Sequence, residues 1–473
     1  MNKFLVINLI ICFCLLGCAT KSKEAKAITE ENKMVDNFAD NGFGNAVAVV
    51  QHPAGVYHKG ITYVCYQGPL EDPYVASYNH KTKEWKGPYK AGVSEMGKDP
   101  NHKTDNHGKP SMLVDNAGYI HITFGGHGGT KKFGENPLGN HHYGKNKHVV
   151  TKKPFDISSW EELDNIPPFG TYNQFIKMDN GDIYLFYRHG AHRSNWVYQK
   201  SADNGRTFDE PVSFLKHKRR TDLEAEDSWY PWITKGNNDE LLVVFDYHLC
   251  SDTTEKTKGL GHIAKRYNVY YMVFNTKHKE WRNVKGELLE IPVSREEADA
   301  KALVAKTPGN WTFQGVVDLD SDGNPHIGMT IGEEIPGARR SDSKQMHHYR
   351  WNGEHWIHSL EANLPEGNGD FEVKSNQEVH FYIEAKEEDD FGEVAKWSSN
   401  DDGETFKKTK VLLRKPNASF AISALIENAH PDAKLIVAER MPGTDYRKMY
   451  LLGEGGAMMR NKSEAQVLKV NLK

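Results

Sequence analysis

Residues 112–124 read MLVDNAGYIHITF, the middle of a longer run at 105–129, DNHGKPSMLVDNAGYIHITFGGHGG. From Ser111 to Phe124 the pattern alternates as a strand pair does, broken at Asp115-Asn116-Ala117-Gly118. Asx and Gly residues accept left-handed backbone, so the break predicts a tight turn and the run a hairpin. A hairpin returns its chain to where it started. His107 and His127, just outside its two ends, are therefore expected on one rim of one sheet. The glycines around His127 are expected to leave that rim open to something large.

The same unit recurs along the chain, and repeats of this length signal a repeat architecture. FIKMDNGDIYLFY (175–187), WITKGNNDELLVVF (232–245), VVDLDSDGNPHIGM (316–329), FEVKSNQEVHFYI (371–383) and ALIENAHPDAKLIVA (424–438) follow the pattern, and VQHPAGVYHKGITYVCY (50–66) is a degenerate first copy. A second motif trails the hairpins: YNHKTKEW (78–85), FNTKHKEW (274–281) and YRWNGEHW (349–356), with SADNGRTF (201–208) and SNDDGETF (399–406) in equivalent places. The last two fit the Asp-box pattern Ser-x-Asp-x-Gly-x-Thr-aromatic, which resembles the outer turn of sialidase-type propeller blades. There the carboxylate serves the turn's own backbone, so Asp203 and Asp401 are read as structural. Helical periodicity is nearly absent, 156–163 and 294–303 being the best short candidates. Many short strands with regular turns predict an all-β, seven-bladed β-propeller over about residues 40–473. The Asp320-Ser321-Asp322-Gly323-Asn324 run lacks the later Glu of a calcium-binding EF-hand loop and is read as a blade turn.

The chain has 473 residues, 38 % hydrophobic and 26 % charged, with a net charge of −4, which argues against a nucleic-acid partner. The start is a targeting segment. Lys3 precedes an apolar run, 4–16, too short to span a membrane comfortably, and Leu15-Leu16-Gly17-Cys18 resembles a bacterial lipobox. Residues 1–18 are accordingly read as a lipoprotein signal, Cys18 as the lipidated residue and 19–39 as a polar tether. That implies an envelope protein held to a membrane, the outer one in this reading, through its lipid. Of five cysteines, Cys65 and Cys250 then remain in the body of the protein, and nothing in the sequence requires them to pair.

The third repeat opens with Gly170-Thr171-Tyr172-Asn173-Gln174 and its second strand ends in Tyr187-Arg188-His189. The fourth opens with Ser228-Trp229-Tyr230-Pro231. By the geometry of the first hairpin, Tyr172, Arg188 and Tyr230 share a rim with His107 and His127. Singly each is an ordinary packing residue; at equivalent registers in consecutive repeats they make a candidate site.

The set Asn106-His107-Gly108, Gly126-His127-Gly128, Tyr172, Tyr187-Arg188-His189 and Trp229-Tyr230-Pro231 resembles the ulvan lyases of polysaccharide lyase family 25, and more distantly family 24. The resemblance spans most of the chain. It implies a seven-bladed propeller and cleavage of ulvan, a polymer of rhamnose 3-sulfate and uronic acid, by β-elimination, and a monomer is expected. Such chemistry takes a poorly acidic proton from carbon 5 and expels the oxygen at carbon 4. His107 is assigned as base and Tyr172 as acid, with Tyr172 able to serve both roles on one epimer. Arg188 is assigned to the uronate carboxylate, and Asn106, His127, His189 and Tyr230 to substrate positioning. No cofactor is needed for catalysis.

A second constellation, His248-x-Cys250 followed by His262, has the ligand types zinc favours. It predicts a structural zinc, with His278 and His326 as candidates for a fourth ligand. Two other functions compete. A sialidase-like glycoside hydrolase would share the Asp boxes, but no Arg-Ile-Pro motif is present. A non-catalytic glycan-binding lipoprotein would keep the rim aromatics without needing His107 beside Tyr172.

Overall fold

The computed structural model describes residues 33–98, 104–251, 264–335, 343–387 and 389–468. Cys18, the signal segment and His262 lie outside them. The described residues form a nearly all-β, propeller-type arrangement of four-stranded, blade-like antiparallel sheets, lettered here in chain order. Sheet A comprises Gly55–His58, Ile61–Gln67, Pro73–Asn79 and Glu84–Lys90. Sheet B comprises Ser111–Val114, Ile120–His127, Tyr143–Thr151 and Trp160–Leu163. Sheet C runs through Gly170–Lys177, Ile183–His189, Trp196–Ser201 and Val212–Leu215. Sheet D uses Ala225–Lys235, Glu240–Ser251, Ala264–Asn275 and Glu280–Arg282, with short additions at its margins. Sheet E is Asn310–Leu319, Pro325–Glu333, Lys344–Trp351 and Trp356–His358, and sheet F is Asn368–Val373, Val379–Lys386, Phe391–Ser399 and Lys407–Pro416. Sheet G takes Phe420–His430, Ala433–Arg440 and Tyr446–Gly453, and its outer strand is Ala39–Phe43 from the other end of the chain.

Each hairpin quoted from the sequence is the inner strand pair of one of these sheets. Second strands such as Glu240–Ser251 are buried almost without a break. Neighbouring sheets cover both their faces, which selects continuous apolar runs over alternation. The recurring aromatic after each outer turn reaches the preceding sheet. Trp281 of sheet D stacks on Phe214 of sheet C at 5.0 Å, and Trp356 of sheet E meets Tyr271 of sheet D at 5.5 Å. Phe406 of sheet F meets His348 of sheet E at 5.7 Å, and Trp85 of sheet A stacks on Phe38 at 5.2 Å, beside the closing strand of sheet G. The core is thus a series of aromatic layers between sheets, each such pair contributing roughly 0.5–1.5 kcal/mol beyond its buried area.

Both Asp boxes fold as turns. Asp203 Oδ1 accepts the N–H groups of Arg206 and Thr207 at 3.1 and 2.9 Å, and its Oδ2 accepts the Thr207 hydroxyl at 2.7 Å. Asp401 does the same for Thr405. The Asp320 carboxylate likewise accepts the N–H groups of Asp322 and Asn324, as a blade turn does. Of the two helical candidates, 294–303 yields Arg295–Glu297 and Ala298–Ala302. Within 156–163 the structure instead has the strand Trp160–Leu163, whose backbone pairs with His148–Thr151 to finish sheet B. Cys65 and Cys250 are buried and free.

Among the described residues the ring closes through strand pairing and hydrogen bonds. Ala39–Phe43 pairs with Tyr446–Gly453, and Met34–Val35, within the stretch read as a tether, pairs with Arg460–Asn461. Glu427 of sheet G bridges to Val56 of sheet A in parallel. The buried Arg460 donates to the carbonyls of Phe38 at 2.9 Å and Gly87 at 2.6 Å, tying the chain's start to sheet A.

Candidate active site

The inner strands begin at one mouth of the ring, and there the first hairpin delivers both histidines. His107 and His127 stack at 3.7 Å with ring planes 10° apart. Asp105, two residues before His107, bridges them: its Oδ1 takes Nδ1 of His107 at 2.5 Å and its Oδ2 takes Nδ1 of His127 at 2.6 Å. Burial pushes the Asp105 carboxyl up, but the hydrogen bonds and charge of the two imidazoles outweigh it and hold the group well below the usual range. An ionised carboxylate only accepts, so each Nδ1 carries the proton and each Nε2 keeps its lone pair. Burial lowers both imidazoles, His127 to about 3 and His107 below its ordinary value, with Asp105 opposing. His127 is buried, whereas the His107 side chain is 27 % exposed, so His107 is the lone pair that solvent and ligand can reach.

The glycines flanking His127 have a different purpose from the one expected. A Cβ on Gly126 would sit 2.0 Å from the carbonyl oxygen of Gly170, and one on Gly128 would sit 2.6 Å from the N of Ala191. They let sheets B and C close on each other rather than widening the rim.

Tyr172 arrives from sheet C on a bulge between Thr171 and Gln174, with φ at +60°. A bulky residue in left-handed backbone costs on the order of 1–3 kcal/mol and marks a site that the surroundings enforce. Asn173 helps by donating to Asn146 at 2.8 Å. The bulge turns the Tyr172 ring to 5.3 Å from His107 and 5.4 Å from Tyr230. Burial, then the neighbouring Tyr230, raises the Tyr172 phenol well above its ordinary value, so it is a proton donor at neutral pH.

Arg188 lies beneath these rings and is fully buried. Its Nη1 donates to the Tyr230 hydroxyl at 3.2 Å, its Nε reaches the Gly190 carbonyl at 3.5 Å, and its Cζ lies 5.0 Å from the Tyr172 ring centre. Nη2 is a buried donor without a partner among the described residues. His189, the next residue, points to the opposite face, where Nδ1 meets Asn136 Oδ1 at 2.9 Å and the ring packs on Phe169. Asn106 stands at the edge, its Oδ1 accepting the N–H of Asn45 at 3.0 Å.

These residues line one wall of a cleft of about 380 Å³; Phe313, Lys344, Asn368 and Glu384 face them from sheets E and F. A larger cavity of about 650 Å³ opens at the far mouth around Lys177, Lys235 and Glu372. It holds no comparable pairing of a free imidazole with a phenol. The arrangement in the smaller cleft can remove a proton at His107 Nε2 and deliver one from Tyr172.

The sequence reading missed several residues here. Asp105 stood in the quoted run but carries its role only through the fold. His192, three residues past the end of the second strand of sheet C, brings ligand atoms within 4.8 Å of two sets, His107 with His127 and His248 with Cys250. His326, one candidate for a fourth metal ligand, is engaged elsewhere with His348 at 3.1 Å. Arg266, on sheet D, lines the cleft and lacked any motif.

Comparison with known proteins fits this site. The family described as "BNR repeat-containing family member" matches residues 137–362. An ulvan lyase of Nonlabens ulvanivorans is 62 % identical over 98 % of this chain and 99 % of its own length. An ulvan lyase of Pseudoalteromonas sp. (strain PLSV), designated PL25, is 53 % identical over 97 % of this chain and 94 % of its own. A solved family 25 ulvan lyase bound to a glucuronate–rhamnose 3-sulfate repeat superposes with a TM-score of 0.87 at 53 % identity, covering 92 % of this chain and all of that one. With such identity over nearly its whole length, the chain belongs to the ulvan lyases of polysaccharide lyase family 25.

Proposed function

We propose that this protein cleaves ulvan between rhamnose 3-sulfate and uronic acid by β-elimination, leaving an unsaturated uronate end. One observation carries the reading: a neutral imidazole, His107, whose Nε2 has no partner among the described residues, stands 5.3 Å ring to ring from a protonated phenol, Tyr172, and both line one cleft. Asp105 holds His107 in the tautomer that accepts the carbon-5 proton. Tyr172 then protonates the departing oxygen at carbon 4. General acid and base groups typically contribute ~10²–10⁴-fold each. Arg188 stabilises the charge that builds on the uronate carboxylate, directly through Nη2 once substrate is seated, and steadies both tyrosines meanwhile. His127 and Tyr230 position the sugar, with Asn106 at the cleft edge and His189 in support from the far face. Mass analysis of the products tests the reaction class. Elimination yields ends lighter by one water and conjugated, whereas a sialidase-like hydrolase yields saturated, water-added ends; saturated ends would overturn the proposal.

Three further assignments belong to this reading. The blades number seven in this reading, supported by seven inner hairpins, of which the first and last are joined through the Glu427–Val56 bridge into one continuous sheet. A structural zinc sits at His248 and Cys250, with His192 and His262 completing the set. In support, ligand atoms of His192, His248 and Cys250 lie within 4.8 Å of one another, and two imidazoles with a thiolate suit zinc. Elemental analysis should find about one zinc per chain, and Cys250→Ser should abolish it. Finally, Cys18 carries the lipid that holds a monomeric enzyme to the bacterial envelope, and Cys18→Ser should release it from the membrane fraction.

A further inference from the structure

Two guanidinium groups lie close to the Tyr230 ring, and they differ in what they can touch. Arg188 lies 5.4 Å from the ring centre and is fully buried. Arg266 comes from the next sheet, where it pairs with His248 in register. Its Cζ lies 4.0 Å from the same ring centre, its side chain is 17 % exposed, and it lines the cleft. It is also fixed. Asp246, one strand over and 1 % exposed, takes Nε at 3.0 Å and Nη2 at 2.7 Å on one carboxylate oxygen. A buried carboxylate clamping two of three nitrogens costs desolvation, which the charge pairing must offset. What the clamp leaves is Nη1, which makes no hydrogen bond to any described residue and sits on a guanidinium already oriented by a ring face and a carboxylate. Preorganised, desolvated and partly open is the state in which one charge-assisted hydrogen bond adds most to binding.

We propose that Arg266 is a substrate-contacting residue of this enzyme, donating from Nη1 to an oxyanion of the bound polymer, and that Asp246 is its positioning residue. The inference rests on the reading of the cleft as a site for a sulfated polyuronate. The shared chemistry is a singly charged sugar oxyanion, and two groups on that polymer supply one: the uronate carboxylate and the rhamnose sulfate. Lys344, whose Nζ lies 3.6 Å from the Phe313 ring centre across the cleft, adds to the positive field on the same side.

The test is steady-state kinetics on ulvan and desulfated ulvan, each at several salt concentrations, with equilibrium binding to carboxyl-reduced ulvan, which lacks the acidic carbon-5 proton and is read by affinity instead of KM. Arg266→Ala should raise KM on ulvan roughly tenfold or more, the scale of one charged hydrogen bond, with the loss in KM rather than kcat. Its KM should also respond less steeply to salt, because one screened attraction is gone. Arg266→Lys should recover part of the KM. Asp246→Asn, which keeps the shape and frees the guanidinium, should raise KM in the same direction. The difference between wild type and Arg266→Ala should vanish on whichever polymer lacks the oxyanion that Arg266 meets, and that identifies the source. A wild-type KM and salt response for Arg266→Ala overturns the inference, as does a fall in kcat at constant KM, which would mean that Arg266 acts only by propping Tyr230. If wild-type protein fails to cleave ulvan, the proposed activity falls instead. Equilibrium binding of wild type and Arg266→Ala to intact ulvan then decides the inference separately, equal affinities overturning it.

Discussion

Asp105 sets the chemistry of the site through a single carboxylate. It accepts from both stacked imidazoles, and by doing so leaves each with a basic Nε2. Asn in its place keeps the shape but offers one acceptor and one donor, so one histidine must flip its tautomer. Asp105→Asn should therefore lose activity on the scale of a misplaced general base, ~10²–10⁴-fold in kcat, with unchanged thermal unfolding. Activity within about threefold of wild type would remove Asp105 from the account. The sign of the pH dependence follows from the same group. Burial lowers the His107 pKa, so the imidazole stays neutral on cooling the pH through its ordinary value of about 6.5 and is protonated only below it. The acid limb of kcat/KM should fall below about 6.5, and a limb above it would contradict a partly buried His107 base. Residue identity at the site was legible in part. His107, His127, Tyr172, Arg188 and Tyr230 could be found because hairpin register places them on one rim. Asp105 and Arg266 could not, because their roles depend on which nitrogen they meet across sheets, and no periodicity encodes that. His189 was misdirected by the same alternation that made Arg188 legible: adjacent strand residues face opposite ways.

At the scale of elements the sequence was more transparent. Asx-Gly breaks gave each inner turn, and the terminal Trp or Phe gave each contact with the preceding sheet. The exception was 156–163, where four residues of edge strand carry too short a pattern to separate from helix. The Asp boxes make a clean test, because they are well away from the cleft. Asp203 satisfies two backbone N–H groups and two hydroxyls, those of Thr207 and Ser201. Asp203→Ala should cost roughly 1–3 kcal/mol in a urea unfolding experiment while the folded enzyme turns over at the wild-type rate. A parallel loss of kcat would bring the box into the catalytic account, where nothing in its geometry puts it.

For the whole molecule, the decisive feature is how the ring closes. Among the described residues the ends meet through hydrogen bonds: Ala39–Phe43 completes the last sheet, and Arg460 ties it to the first. The repeats announced a closed array, yet the closing strand was hidden, because five residues reading ADNGF carry no apolar alternation. Removing the tie, Arg460→Ala, leaves the buried carbonyl of Phe38 and the part-buried one of Gly87 without their charged donor. It should destabilise by about 3 kcal/mol, seen as a lower melting temperature, with activity per folded molecule retained. The closed ring in turn holds His107 of sheet B, Tyr172 of sheet C and Tyr230 of sheet D in fixed register, and the central claim concerns what that register does. The turnover of Tyr172→Phe on ulvan, followed by the ultraviolet absorbance of the conjugated unsaturated uronate, tests it most directly. The substitution keeps the ring against His107 and removes only the hydroxyl. A loss of ~10²–10⁴-fold in kcat with an unchanged melting temperature is the predicted result, and wild-type turnover by the folded variant would contradict Tyr172 as the acid.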